Sequence, residues 1–322
     1  MKVIITDCDH DNIEIETKVL TEAGIEFELK CARTEDEVIE QCKGADIFIV
    51  QYANISERVM EALPELKYVV RYGVGVDTVD VEAAVQHGVQ VGNVPDYGMN
   101  EVADHALAMM LMMVRKVHIM NRFTKSCGWD YTRAIPVRRL SEQTAGVVGM
   151  GRIGRNFAKK ASALGFRVIG YDPQLSQGDR IGETEIVSFE ELVSQSDAIS
   201  LHCPADGNKD LFNLEVFQQM KNSAVIINAA RGGIINEEDL DQALREKMIS
   251  GAALDCMSAE PVSPDSSIFE NENLIVTPHM AWYSEEAAEE LKRKAAEEAV
   301  RFAQGEPIRY PVNRMEGGRY YE

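Results

Sequence analysis

Short, apolar, β-branched runs alternate along the first third of the chain with longer stretches whose apolar residues recur at helical spacing. Residues 3–6, 27–30, 46–50 and 68–71 read as strands with helices between them. A second series follows at 144–148, 167–171, 198–201, 224–228, 252–254 and 273–277. Such alternation predicts parallel sheets covered by helices on both faces, so two α/β units are expected. Between the series, a turn cluster (Pro95, Asp96, Gly98, Asn100) precedes an apolar helical pattern that runs to about Phe123. Its methionines Met109, Met110, Met112 and Met113 suit a core or a subunit interface, because an unbranched thioether fills irregular gaps. After the last strand come a charged helix over 284–304 and an extended tail over 307–312, and both need a surface to dock on. The economical path returns them to the first unit. The first domain is then discontinuous, residues 1–99 with 282–322, and the second, residues 100–281, is an insertion in it. A ligand crevice is expected between the two.

Composition is compatible with this plan. A chain of 322 residues with 45% hydrophobic and 27% charged residues can bury two ordinary cores. Lys and Arg total 33 against 53 Asp and Glu, a formal charge of -20 that repels phosphate backbones and anionic lipid. Neither nucleic acid nor a membrane surface is therefore an expected partner. A pocket for anionic ligands must be made locally positive, so individual arginines matter. The six cysteines are scattered without a C-x-x-C pair, and the start MKVIITDCDH has no apolar signal core. Reduced thiols and a cytoplasmic location are expected. The most apolar helix-length stretch, 106–120, is interrupted by Arg115, Lys116 and His118 and is too short to span a bilayer.

The strand at 144–148 runs into Gly149-Met150-Gly151-Arg152-Ile153-Gly154, a Gly-x-Gly-x-x-Gly opening a helix over 152–164. In this βαβ setting the motif is a dinucleotide fingerprint. Gly149 allows the tight turn, Gly151 lets backbone approach a pyrophosphate, and Gly154 permits close helix–strand packing. The helix N-terminus supplies amide donors to the diphosphate. The next strand ends at Asp172, about twenty residues on, as the fingerprint requires. That carboxylate can accept both ribose hydroxyls but repels a 2′-phosphate, which favours NAD(H) over NADP(H). Cys203 and Pro204, after the strand at 198–201, complete the cofactor-binding candidates on this side. The fold expected is thus a Rossmann NAD-binding domain inserted into a flavodoxin-like substrate domain, both doubly wound.

Three later strand ends carry candidate chemistry, where doubly wound sheets place their ligands. Arg231, in Asn228-Ala229-Ala230-Arg231-Gly232-Gly233, offers a planar fork that can grip a carboxylate and polarise an adjacent keto oxygen. Glu260 follows the strand at 252–254, and His279 follows the strand at 273–277. Reduction of a 2-keto acid needs a proton donor opposite the hydride source, and an imidazolium at His279 supplies one. Glu260, if paired to the far ring nitrogen, would stabilise that charge and hold the ring in a useful orientation.

Taken together, the sequence resembles the D-isomer-specific 2-hydroxyacid dehydrogenases, the family that includes 3-phosphoglycerate dehydrogenase, glyoxylate reductase and the C-terminal-binding protein corepressors. The motifs carrying the likeness are Arg71-Tyr72-Gly73-Val74-Gly75-Val76-Asp77, Val102-Ala103-Asp104-His105, the glycine motif, Asn228 to Gly232, Asp255 to Pro261, and Thr277-Pro278-His279. The resemblance implies that Arg231 binds the substrate carboxylate, with His279 as acid/base and Glu260 as its partner. It implies that the Val74 and Gly75 amides hold the other carboxylate oxygen. It also implies that Asp255 and the Ala229 carbonyl bind the nicotinamide amide, that Arg152 and Ile153 give amides to the pyrophosphate, and that the protein dimerises through its nucleotide domains. Asp104 and the run Met280-Ala281-Trp282-Tyr283-Ser284 look like the corepressor branch, where the tryptophan lines the substrate pocket. Trp282 is accordingly a substrate-binding candidate, with a core or interface role as the other reading.

Two functions follow as expectations. One is an NAD-dependent enzyme interconverting a D-2-hydroxy acid and its 2-keto acid. The other is an NAD(H)-sensing dimer that regulates a protein partner, for which the tail at 317–322 is a short docking candidate.

Overall fold

The structure, a computed structural model, describes residues 1–9, 12–315 and 318. Of the tail at 317–322, only Gly318 lies among them. The chain divides into two compact units, Met1–Gly98 with Ser284–Glu322, and Met99–Tyr283.

In the first unit, β1 (Lys2–Ile5), α1 (Glu14–Glu22), β2 (Glu26–Leu29), α2 (Glu35–Gln41), β3 (Ile47–Val50), α3 (Glu57–Ala62), β4 (Tyr68–Arg71), α4 (Val81–Gln86) and β5 (Gln90–Gly92) alternate. The sheet order is β2-β1-β3-β4-β5 with every neighbouring pair parallel, the flavodoxin-like order. All four residues of β3 are fully buried, which is why this strand reads as an unbroken apolar run. Strand β5 is not apparent in the sequence pattern, being three residues long and containing Gln90 and Gly92. Its support comes from far along the chain. Asn313 accepts from the Val91 amide at 2.7 Å and donates to the Val89 carbonyl at 2.9 Å. Among the described residues the tail expected to be extended forms no strand, only bridge positions at Ile308 and Pro311, the latter paired with Gly92. Ahead of it, the C-terminal helix Glu285–Gln304 is capped by Ser284, whose hydroxyl accepts from the Ala287 amide, and ends at Gly305 in the left-handed region. Its buried stripe of Ala287, Leu291, Ala295, Ala296 and Ala299 packs on α1, β3 and β4.

The second unit holds α5 (Met99–Val114), α6 (Val117–Lys125), β6 (Thr144–Val148), α7 (Arg152–Ala163), β7 (Arg167–Tyr171), β8 (Arg180–Ile181), β9 (Thr184–Ile186), α8 (Phe189–Gln195), β10 (Ala198–Leu201), α9 (Leu214–Gln219), β11 (Val225–Asn228), α10 (Glu237–Arg245), β12 (Gly251–Leu254) and β13 (Leu274–Val276). Its sheet runs β13-β12-β11-β10-β6-β7-β9-β8, parallel except for the β8–β9 pair. Within it, β9-β7-β6-β10-β11-β12 is the Rossmann order, with its switch point between β6 and β10. Alternate strand residues enter different cores. Val148, Ile199, Ile226 and Leu254 face one layer of helices, and Val147, Ala198, Ile227 and Ala253 the other. Both faces are buried, as a parallel sheet requires.

One expected element needs correction. The helix read as continuous to Phe123 breaks at Lys116, which adopts a left-handed conformation (φ 54°) between α5 and α6. The apolar spacing carries across the break, so periodicity alone does not reveal it. Met109, Met110 and Met113 are buried, whereas Met112 is exposed. No helix among the described residues is long and apolar enough to cross a membrane.

Candidate active site

The glycine loop joins β6 to α7 at the switch point. Gly149 has φ +92°, and a Cβ there would lie 2.7 Å from the Cys203 amide nitrogen and from the His202 carbonyl. The loop is therefore pressed against the end of β10, which brings Cys203 beside it, with Pro204 the next residue along the chain. A Cβ on Gly154 would stand 1.9 Å from the Gly149 carbonyl oxygen, so α7 can sit this close to β6 only with glycine at that position. Gly151 differs, because a Cβ there would meet nothing within 4 Å. It is also the N-cap of α7 and makes no side-chain capping bond, so no side chain occupies the approach to the first-turn amides of Arg152 and Ile153. Open space over backbone donors at a helix N-terminus fits a pyrophosphate. Asp172 lies next to the same loop. Its Oδ2 accepts from the Met150 amide at 2.9 Å and its Oδ1 from the Gln174 amide at 3.0 Å.

The remaining unit-two candidates converge at the ends of β11, β12 and β13. Asn228, buried at the end of β11, donates from Nδ2 to the Arg231 carbonyl (2.8 Å) and accepts from the Ala230 amide (3.1 Å). This clamp shapes the Ala229–Ala230–Arg231 turn. A Cβ on Gly232 would lie 2.0 Å from the Met257 carbonyl oxygen, so the Arg231 loop packs directly on the loop after β12. In that second loop Glu260 bonds in two directions. Its Oε1 accepts from the Met257 amide at 2.9 Å, and its Oε2 is 2.7 Å from His279 Nδ1. Burial pushes the Glu260 carboxyl up, but the hydrogen bonds from His279 and Met257 and the charges of His279 and Arg231 outweigh it. The net result lies below the usual carboxylate range. The acid is thus ionised at neutral pH and accepts the Nδ1 proton, leaving Nε2 as the ring's outward nitrogen.

His279 occupies an unusual backbone position, φ 51°, with its amide donating to the Asp255 carbonyl at 2.8 Å. Asp255, only 2% exposed, holds the turn with its side chain as well. Its Oδ1 accepts from the Thr277 hydroxyl (2.6 Å) and the Met280 amide (3.0 Å), and its Oδ2 from the Ala281 amide (2.8 Å). This structural task of Asp255 is not legible in the sequence, because its partners lie more than twenty residues away. A carboxylate directly after a strand, followed by a turn that must hold a left-handed residue, is the only sequence hint.

Two neighbouring cysteines are not nucleophiles here. Burial pushes the Cys203 thiol up to about 11, and burial together with the charge of Asp255 raises Cys256 further, so both are protonated at neutral pH. Trp282 is partly buried and meets Tyr283 edge to face, ring centres 5.5 Å apart. In the first unit, Val74 is exposed after β4, and its carbonyl accepts from Asn93 Nδ2 at 2.6 Å. Gly73, with φ +127°, makes the turn that presents Val74 and Gly75.

Known proteins match this arrangement. A family profile described as D-isomer specific 2-hydroxyacid dehydrogenase, NAD binding domain, matches residues 107–281. A D-3-phosphoglycerate dehydrogenase of Archaeoglobus fulgidus is 35% identical over 90% of the chain and 55% of its own length. The chain spans little more than half the length of the phosphoglycerate dehydrogenases it matches. A glycerate dehydrogenase of Methylorubrum extorquens is 32% identical over 85% of the chain and 88% of its own length. Among solved structures, a D-lactate dehydrogenase of Aquifex aeolicus, complexed with NAD and lactic acid, superposes with a TM-score of 0.83 at 26% identity. That superposition covers 94% of this chain and 96% of that one.

Proposed function

Because the chain belongs to the D-isomer specific 2-hydroxyacid dehydrogenase family, we propose that it interconverts a D-2-hydroxy acid and the corresponding 2-keto acid with NAD(H) as cofactor. The observation that carries the reading is the 2.7 Å pair of Glu260 and His279, with the Arg231 loop packed against it at adjoining strand ends. Bound at the glycine loop, with Asp172 toward the ribose, NADH supplies the hydride equivalent. The rest of the chemistry belongs to the protein. Arg231 grips the substrate carboxylate and draws electron density from the neighbouring carbonyl. The family resemblance implies that backbone amides at Val74 and Gly75 take the other carboxylate oxygen. Imidazolium His279 gives its Nε2 proton to the keto oxygen, and Glu260 stabilises that charge before transfer. The Ala229 carbonyl and Asp255 would orient the nicotinamide amide, and Trp282 would face the substrate side chain.

The test is to mix purified protein with NADH and a panel of 2-keto acids and follow NADH consumption. Turnover of at least one acid is expected, with NADH preferred over NADPH because Asp172 repels a 2′-phosphate. Absence of turnover with every acid, despite NADH binding, would sink the enzyme reading. Preference for NADPH would show that Asp172 has another role.

We also propose that two copies associate through the segment after α6. Trp129 is 91% exposed, Tyr131 78% and Ile135 62%, a concentration of large apolar side chains that marks a contact surface. Wild-type protein should run as a dimer by light scattering and Trp129→Asp with Ile135→Asp as a monomer. A monomeric wild type would remove the proposal. The cytoplasm is the compartment we assign, supported by six cysteines scattered along the sequence without a C-x-x-C pair.

A further inference from the structure

The stretch 102–105 has no part in the chemistry above, yet its last residue reaches the catalytic turn. His105 sits on α5, between Ala103 and Ala106, which are fully buried and fix this part of the helix against the sheet. Its Nε2 is 3.0 Å from Thr277 Oγ1 and 3.5 Å from Asp255 Oδ1. The Thr277 hydroxyl in turn lies 2.6 Å from Asp255 Oδ1.

Proton counting gives these contacts a direction. A hydroxyl has one proton, and the Asp255 carboxylate already accepts the amides of Met280 and Ala281. The Thr277 proton therefore goes to Asp255. The Thr277 oxygen is left to accept, so His105 must carry its proton on Nε2. The result is a set of donors converging on Asp255: His105 Nε2–H donates to Thr277 Oγ1, the Thr277 hydroxyl donates to Asp255, and the Met280 and Ala281 amides that follow His279 donate to the same carboxylate. Next to those amides is His279, a non-glycine residue held in the left-handed region at φ 51°. A backbone in that region persists only where its surroundings over-determine it.

We propose that His105 is a positioning residue for His279: from a rigid helix it fixes the Thr277 hydroxyl, and through Thr277 and Asp255 it holds the turn that aims the acid/base ring. The proposal rests on the reading of His279 as that acid/base. Without the His105 proton, Thr277 is free to rotate, Asp255 loses a directed donor, and the His279 ring is held by Glu260 alone.

The experiment compares wild type, His105→Leu and His105→Gln, using NADH and a keto acid that the wild type reduces. Glutamine can place an amide N–H near the lost Nε2–H, whereas leucine cannot. His105→Leu should lower kcat by about 10–100-fold, the usual range for a residue orienting an active group from behind, with KM and NADH affinity changed by less than about threefold. His105→Gln should recover most of the lost kcat. In the wild type, nitrogen NMR should report the Nε2–H tautomer for His105. If His105→Leu does not fold, Thr277→Val and Thr277→Ser ask the same question, with loss of kcat expected only for valine. Unchanged kcat in His105→Leu, equal losses in the leucine and glutamine variants, or an Nδ1–H tautomer each overturn the proposal. Failure of the reaction reading has a different signature, namely full turnover by His279→Ala.

Discussion

Replacing His279 with alanine should lower the turnover of 2-keto acids by about 10²–10⁴-fold, the contribution of a positioned general acid, while NADH affinity changes by less than about twofold. The separation of the two effects follows from the architecture. His279 lies in the turn after β13, held by Asp255 and paired with Glu260, whereas the cofactor's pyrophosphate is expected at the glycine loop between β6 and α7. The pair also sets a direction for pH. Glu260 is held below the usual carboxylate range, so its ionised form and the charge-assisted bond to His279 are present at neutral pH. They are lost only as the pH falls through that lowered value. Steady-state kinetics with cofactor titration by fluorescence would check this prediction. Turnover within a few-fold of wild type in His279→Ala would falsify the assignment of the proton donor.

Gly149→Ala should nearly abolish NADH binding, weakening it by about 100-fold or more, and should destabilise the second unit by about 2–4 kcal/mol. Two penalties act together at this one position. The backbone is at φ +92°, where a side chain is strained whatever the space around it, and the new methyl would lie 2.7 Å from backbone atoms of His202 and Cys203. Backbone cannot swing aside as a side-chain tip does, so relief requires the loop to lift off the end of β10. That movement displaces the amides at the start of α7. Gly151→Ala is the contrasting control. Its methyl meets no protein atom within 4 Å, so the fold should keep its stability while cofactor binding suffers. Thermal melts and NADH titrations of both variants would check the pair. A Gly149→Ala protein as stable as wild type would contradict the close approach.

Strands buried on both faces were legible because their residues are almost all apolar, without a polar face, as in β3, β10 and β11, and the structure keeps them within a residue or so of the expected bounds. Weakly patterned elements were not. Strand β5 pairs with β4 and has further hydrogen bonds completed by the distant Asn313, and β8 and β9 form a short pair that no run of apolar residues announces. The break at Lys116 escaped notice for the opposite reason, since apolar spacing continues through a residue whose backbone has left the helix.

The candidate site divides along the same line. Glycine spacing, a carboxylate at the end of the second strand, and Arg231, Glu260 and His279 at successive strand ends are local features, and each constrains chemistry through residue type and nearby backbone. The sequence by itself therefore determined the fold class, the cofactor class and the candidates for the reactive groups. Only the tertiary structure decided how those groups are held: the two bonds of Glu260, the seating of the Arg231 loop on Met257, and the anchoring of the His279 turn by Asp255, Thr277 and His105. Hydrogen bonds depend on distances of a few tenths of an ångström and on which atom holds the proton. His105 and Thr277 are 172 positions apart, and no pattern along the chain encodes their meeting.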